Sequence, residues 1–273
     1  CLKGYSSSRD LPARIKKIFL ERCTKADHSQ LLSPLAEFSN LFMTELGRGC
    51  SRGCRFCAAG YIYRPPRLWD GDAVVAGIAE RSADTGRVGL LGMEMADPAE
   101  LATLSEYLGE SGCALSFSSL RADRLSEQLL DLLASSKLKS VAIAPDGCSE
   151  RLRLVINKGL DEHDIIRAAE RLVSIGIYKL KIYLMIGLPT ETEEDLEEAV
   201  RLVGKIKEKI DPIGRSRGRL CEILISVNCF TPKPWTPFQF HAFGVSEKLK
   251  RGEYKNRQEV VGELKKRLKF LKN

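Results

Sequence analysis

Short apolar runs alternate with helical stretches along most of this chain, and no other feature constrains its fold as strongly. Runs with strand character lie at 41–46 (LFMTEL), 88–92 (VGLLG), 114–118 (ALSFS), 140–144 (SVAIA), 179–186 (KLKIYLMI) and 221–227 (CEILISV). In the last, Cys221, Ile223, Ile225 and Val227 share one face at a period of two. Between the runs the period becomes helical. Leu125, Leu129, Leu132 and Leu133 form a stripe in 123–135, with Asp123 as the N-cap. Leu196, Ala199, Val200, Val203 and Ile206 form another in 192–210, with Thr190 and Glu193 placed for a capping box. Segments 98–110 and 161–175 read the same way. Such alternation builds parallel sheets through right-handed crossovers. Six units predict an α/β fold, a partial (β/α)6 barrel with parallel strands; the pattern leaves an open doubly wound sheet as the alternative. Either fold collects chemistry at the C-terminal ends of its strands.

Around this core, residues 1–40 read as a helical lead-in with loops, 41–240 as the barrel, and 241–273 as a basic amphipathic helical tail whose helix covers 246–271. The 273 residues are 44% hydrophobic and 29% charged, a globular composition. No apolar run approaches the ~18 residues of a membrane span. No stretch has the layout of a signal peptide, so a cytoplasmic protein with no membrane partner is expected. The net charge of +7 is uneven. The tail carries ten Lys/Arg against four Glu, and the rest is nearly neutral. Any electrostatic pull on nucleic acid would come from the tail, and a solvated helix face explains the same charge. A chain that opens on Cys1 reads as a fragment or a processed form. A lipoprotein N-terminus is set against the reducing compartment that the cysteines suggest.

Those cysteines number nine, an odd count. Six are scattered and read as small buried core residues. The other three fall in Gly47-Arg48-Gly49-Cys50-Ser51-Arg52-Gly53-Cys54-Arg55-Phe56-Cys57, directly after the first strand. Three thiolates within eight residues suit a soft metal site. The glycines let the backbone bend tightly, and Arg48, Arg52 and Arg55 can offset thiolate charge. A structural zinc site or an all-cysteine [4Fe-4S] site takes four protein ligands. Zinc would therefore need a distant fourth ligand, while a cluster held by three thiolates keeps one iron open.

The C-x3-C-x2-C spacing, with Phe56 before the last Cys, resembles the radical S-adenosylmethionine (SAM) superfamily. The resemblance covers about residues 41–240. It implies a TIM-like partial barrel, a [4Fe-4S] cluster on Cys50, Cys54 and Cys57, and SAM chelated on the open iron. Reductive cleavage of SAM to a 5′-deoxyadenosyl radical would follow, with an electron donor such as flavodoxin or ferredoxin. Other strand ends resemble the family as well. Gly92 and Glu94 match a Gly-Gly-Glu-like segment that holds the SAM amino group, though an ordinary loop before a helix capped near Asp97 fits too. Ser116 and Ser118 could bond the ribose or cap the next helix. In Ala144-Pro145-Asp146-Gly147-Cys148-Ser149-Glu150-Arg151, Asp146 stands where relatives tend to carry Glu. Arg151 is there a candidate partner for the SAM carboxylate, with a surface ion pair as the plainer reading. Ile186 and Gly187 open a strand–Gly-x-Pro–helix turn that could pack on adenine.

The segment Phe230-Thr231-Pro232-Lys233-Pro234-Trp235-Thr236-Pro237-Phe238-Gln239, with GYIYRPPR at 60–67, is most similar to the subgroup that carries an N-terminal cobalamin-binding domain. Cobalamin would reach this chain only through a domain missing from it. The near signature Asp161-Glu162-His163 reads as N-cap chemistry. The resemblance leaves the substrate open: methyl or methylthio transfer to RNA or protein is one reading. A zinc-stabilised nucleic-acid-binding module is the alternative of another class. Tyr61, Tyr63 and Arg64 could line the substrate mouth or pack on the barrel rim.

Overall fold

A computed structural model describes residues 24–92, 97–136, 138–243 and 257–272. Its principal strands are β1 (Phe42–Glu45), β4 (Arg87–Leu91), β5 (Ala114–Phe117), β6 (Ser140–Gly147), β7 (Lys179–Ile186) and β8 (Glu222–Cys229). A two-stranded antiparallel ribbon, β2 (Gly47–Arg48) with β3 (Arg67–Leu68), flanks the loop after β1. Strands β1-β4-β5 pair in parallel, as do β6-β7-β8. Among the described residues, the two sets are joined by one isolated parallel bridge, Leu120 opposite Ile143. The six strands therefore follow one another in sequence order, as the alternation predicts.

Each strand is followed by a helix: α2 (Gly71–Ala79), α3 (Pro98–Ser111), α4 (Glu127–Ser135), α6 (Glu162–Ser174), α7 (Glu193–Ser216) and α8 (Arg257–Lys272). The short α1 (Ala59–Ile62) and α5 (Glu150–Val155) are inserted after the cysteine loop and after β6. Strands β6 and β7 alternate partly and fully buried residues, so one face packs under the helices. The core is continuous, from Ile78 and Leu90 through Ile143, Leu152 and Leu180 to Ile206 and Leu264.

Several details depart from the sequence pattern. Asp123 does not cap a helix. Residues Ala122–Arg124 form a 3-10 turn in which the Asp123 carboxylate accepts from Arg52 and forms an ion pair with Arg121, and α4 starts later, with the Ser126 hydroxyl accepting from Leu129 N–H. The cap of α7 is Thr192 rather than Thr190. Thr190 sits at φ 68, whereas an N-cap needs the extended backbone that Thr192 has at φ −117. The buried stripe of α7 is Leu196, Ala199, Leu202, Ile206 and Ile210, which leaves Val200 exposed. Two of the scattered cysteines, Cys148 and Cys221, are buried, but Cys113 is only partly buried and Cys229 is exposed. Cys1 and Cys23 lie outside the described residues, as do 1–23 of the lead-in and 246–256 of the tail. The Asp161 reading holds: its carboxylate accepts from Asp164 N–H while Asp164 reaches back to Asp161 N–H.

Asp195, in the first turn of α7, ties β6, α5 and α7 together. It accepts from Ser149 Oγ, from Arg151 and from Thr192 N–H. Burial would raise its pKa, but the bonds from Arg151, Ser149 and Thr192 outweigh burial and hold it below the usual range. A depressed carboxylate stabilises the fold above its ordinary pKa, and that stabilisation is lost as pH falls through the folded value. Asp195→Asn is therefore expected to cost about 2–3 kcal/mol near neutral pH. In thermal melts across acid pH, the gap from wild type should close from about 3.9 downward. A gap independent of pH would contradict this role.

Candidate active site

The cysteine loop leaves β1 through β2 and passes the C-terminal ends of the strands. Gly49 takes φ +94 there, and a Cβ would lie 2.6 Å from Tyr63 O, so only glycine fits. The loop is pinned from several directions. Tyr61 Oη and Asn157 Nδ2 both donate to Gly53 O at 2.9 Å. Arg55 N–H donates to Ile156 O, and Phe238 N–H donates to Arg55 O. The Arg55 guanidinium donates to Val155 O at 2.5 Å. Arg48 pairs with Glu45 and Asp27. Arg48 and Arg55 therefore brace the loop, and only Arg52 of the three arginines reaches the site. Tyr61 and Arg64 also brace: Arg64 donates to Gly60 O and lies over the Tyr61 ring.

Cys50, Cys54 and Cys57, none of them in a disulfide, line a cavity of about 600 Å³ together with Phe56. Its other walls come from β6 (Ala144, Asp146), β7 (Tyr183, Leu184, Met185) and the end of β8 (Asn228, Cys229, Phe230). Ser119 and Arg121 after β5, Lys158 after α5, and Arg52 and Lys233 make up its polar and cationic side. A register shift in β6 between Ile143 and Asp146, with Asp146 at φ 64, turns this carboxylate toward the cavity. Lys158 Nζ meets Asp146 Oδ2 at 2.6 Å. Burial raises the pKa of Asp146, and Lys158 and Arg121 oppose it. Burial likewise pushes the Cys54 thiol up, again opposed by Lys158 and Arg121. The cations are thus placed where thiolate and carboxylate charge needs support.

A single tetrahedral ion with Zn–S bonds of ~2.3 Å brings its sulfurs within about 4 Å of one another. Among the described residues, the one group of three metal-binding side chains gathered within 4.8 Å is Asp161, His163 and Asp164 at the start of α6. Cys50, Cys54 and Cys57 are not gathered that tightly.

Of the residues singled out from the sequence, the structure brings together Cys50, Cys54, Phe56, Cys57 and Asp146. Arg151 points elsewhere: it pairs with Asp195 and donates to Thr190 O at 2.7 Å, the plainer ion-pair geometry. Ile186 is buried in the core and Gly187 in the turn beyond it, while Met185 faces the cavity. Gly92, Ser116 and Ser118 do not line the cavity, although Ser119 does. Gly92 takes φ +81 and passes close to Gly47 O, which a Cβ would meet at 2.9 Å. Glu94 lies outside the described residues. Sequence reasoning missed Lys158, Tyr183, Asn228 and Cys229 as cavity residues. Lys158 carried no signal of its own, because only the α5 turn returns it to Asp146.

Parallel strands ringed by helices, with a braced cysteine loop over their C-terminal ends, form a partial TIM-like barrel. A family model described as the radical SAM superfamily matches residues 44–203, more than half of the sequence, and the chain belongs to that superfamily. An uncharacterised protein of Methanocaldococcus jannaschii is 37% identical over 243 residues, which cover 87% of this chain and 51% of that protein. A probable threonylcarbamoyladenosine tRNA methylthiotransferase of Archaeoglobus fulgidus is 26% identical over 220 residues, 75% of this chain and 52% of that protein. The chain thus spans about half the length of the curated relatives it matches. Two solved structures share the fold. Escherichia coli coproporphyrinogen III oxidase, described as a radical SAM enzyme, has a TM-score of 0.54 at 15% identity, over 85% of this chain and 52% of that chain. The radical SAM methyltransferase TsrM of Kitasatospora setae, solved with cobalamin and a [4Fe-4S] cluster, has a TM-score of 0.54 at 16% identity, over 72% of this chain and 35% of that chain. Among the described residues, no helix is long and apolar enough to cross a membrane.

Proposed function

We propose that this chain is the catalytic core of a radical SAM enzyme, with Cys50, Cys54 and Cys57 as the ligands of a [4Fe-4S] cluster. The observation that carries the reading is the sharing of one cavity by the three cysteines and the Lys158–Asp146 pair. When bound, the cluster and SAM supply a 5′-deoxyadenosyl radical by one-electron reductive cleavage of the sulfonium. This chain's residues supply position and shielding. Lys158 is the cation for the SAM carboxylate, in place of Arg151, and Asp146 is an acceptor for its amino or hydroxyl groups. Phe56, Met185 and Phe230 give apolar walls that exclude water from the reacting centre. Gly92 and Glu94 remain the candidates for the SAM amino group, and Ser116 and Ser118 for the ribose, as the family resemblance implies.

The substrate reading is methyl or methylthio transfer, with the electron drawn from a flavodoxin or ferredoxin. RNA is the favoured acceptor, on the strength of the 26% identical relative whose name specifies tRNA. The deciding experiment is anaerobic reconstitution with iron and sulfide, reduction with dithionite, and chromatography for 5′-deoxyadenosine. A brown protein that releases 5′-deoxyadenosine from SAM is expected. A colourless protein that retains one equivalent of zinc and leaves SAM intact would sink the proposal and favour the zinc module.

A further inference from the structure

The tail helix α8 is more than a solvated face. It packs on α7 and β7, and its Val260 and Leu264 are buried in the common core. From it Arg267 reaches inward to Glu191 at 2.5 Å, while its other nitrogen meets Glu263 at 2.7 Å. The Glu191 side chain has no exposed surface. It lies in the turn between β7 and α7, and its two oxygens accept the N–H groups of Gly187 at 3.0 Å and Leu188 at 3.4 Å. A fully buried carboxylate is costly unless it is paired and hydrogen-bonded, and this one is both.

The position of that turn matters. Gly187 takes φ 76 immediately after Ile186, whose carbonyl accepts Phe230 N–H at 2.8 Å. Tyr183, Leu184 and Met185 on one side of this link, and Asn228, Cys229 and Phe230 on the other, form one wall of the cavity. Glu191 therefore stands directly behind the wall and holds the backbone from which it hangs. Burial raises the pKa of Glu191, opposed by the Gly187 bond and by Arg267, so the guanidinium helps to keep it an acceptor.

We propose that Glu191 and Arg267 are a positioning pair for the SAM cavity: the carboxylate fixes the Gly187–Leu188 turn from behind, and the α8 guanidinium fixes the carboxylate. The proposal rests on the SAM reading above, and it makes α8 part of the catalytic barrel. The test titrates SAM by calorimetry into the anaerobically reconstituted full chain and its Arg267→Met, Arg267→Lys and Glu191→Met/Arg267→Met variants. Iron content and thermal midpoint are measured alongside. Arg267→Met is expected to weaken SAM binding roughly tenfold or more, since a buried charge loses its partner, with iron unchanged. Arg267→Lys should recover most of the affinity.

The double variant separates positioning from simple adhesion. Replacing a buried ion pair by apolar side chains of similar volume commonly restores stability. The double variant should regain its thermal midpoint yet keep the weak SAM binding, because Gly187 and Leu188 N–H have lost their acceptor. If affinity returns together with the midpoint, or if every variant binds SAM as wild type does, the positioning role is overturned. Should Arg267→Met fail to fold, the lysine and double variants decide by the same comparison. A wild type that takes up no SAM at all would instead overturn the radical SAM reading itself.

Discussion

Cys54→Ala is expected to remove the bound iron from the reconstituted protein and to take 5′-deoxyadenosine formation below detection. Cys54 is the buried member of the three cysteines and lines the cavity beside Lys158 and Arg121. With only three thiolates in the loop, a lost ligand leaves two, and a cuboidal cluster so held is open to solvent and dissociates. Wild type should hold about four irons per chain. A serine at the same place should do little better, because iron–sulfur clusters are held by soft thiolates and an alkoxide is a poor substitute. The control is Cys113→Ala: this thiol is partly buried beside α3, away from the cavity, and its loss should leave iron and activity unchanged. Iron assay and the absorbance of the brown chromophore read both outcomes. Full iron retention in Cys54→Ala would place the metal elsewhere.

The second large effect contrasts two cations. Lys158→Met is expected to weaken SAM binding by roughly 10–100-fold, the range a hydrogen bond to a charged group supplies. Arg151→Met should leave SAM affinity within about threefold and lower stability instead, by about 1–2 kcal/mol, since it removes bonds to Asp195 and Thr190. The physical difference lies in where the two side chains end. Lys158 lines the cavity with its ammonium on Asp146, whereas Arg151 is half exposed and closes the gap between α5 and the start of α7. Calorimetric titration with SAM, paired with thermal melts, separates the two effects. The reverse pattern would return the carboxylate to Arg151 and require a different SAM pose.

Much of this architecture is legible in the sequence because it depends on local periodicity. The strand period of two and the helical stripes of Leu129, Leu132 and Leu133 report burial directly, and six alternations leave few topologies. The three cysteines are legible for a similar reason: their spacing is itself the chemistry. Residues whose role depends on a fold-back are not legible. Lys158 follows α5 by a few residues, and only the bulged β6 end brings Asp146 to meet it. Arg151 looked right because guanidinium matches carboxylate, but Asp195, 44 residues later, claims it. Arg267 in a basic tail is indistinguishable by composition from a solvated lysine until Glu191 is seen buried beneath it. The capping shift from Thr190 to Thr192 has the same origin, since a left-handed φ carries no signature in a Thr-Glu-Thr run.

The single bridge between Leu120 and Ile143 divides the strands into two three-stranded slabs, each with continuous ladders of its own. Among the described residues, Leu120 N–H to Ala142 O at 2.7 Å and Ala144 N–H to Leu120 O at 3.3 Å join the two slabs' strand edges. The loop bearing Cys50, Cys54 and Cys57 springs from the first slab, yet Asn157 and the Ile156 carbonyl anchor it to the second. That loop therefore fastens one slab to the other across the line where the strand ladders break.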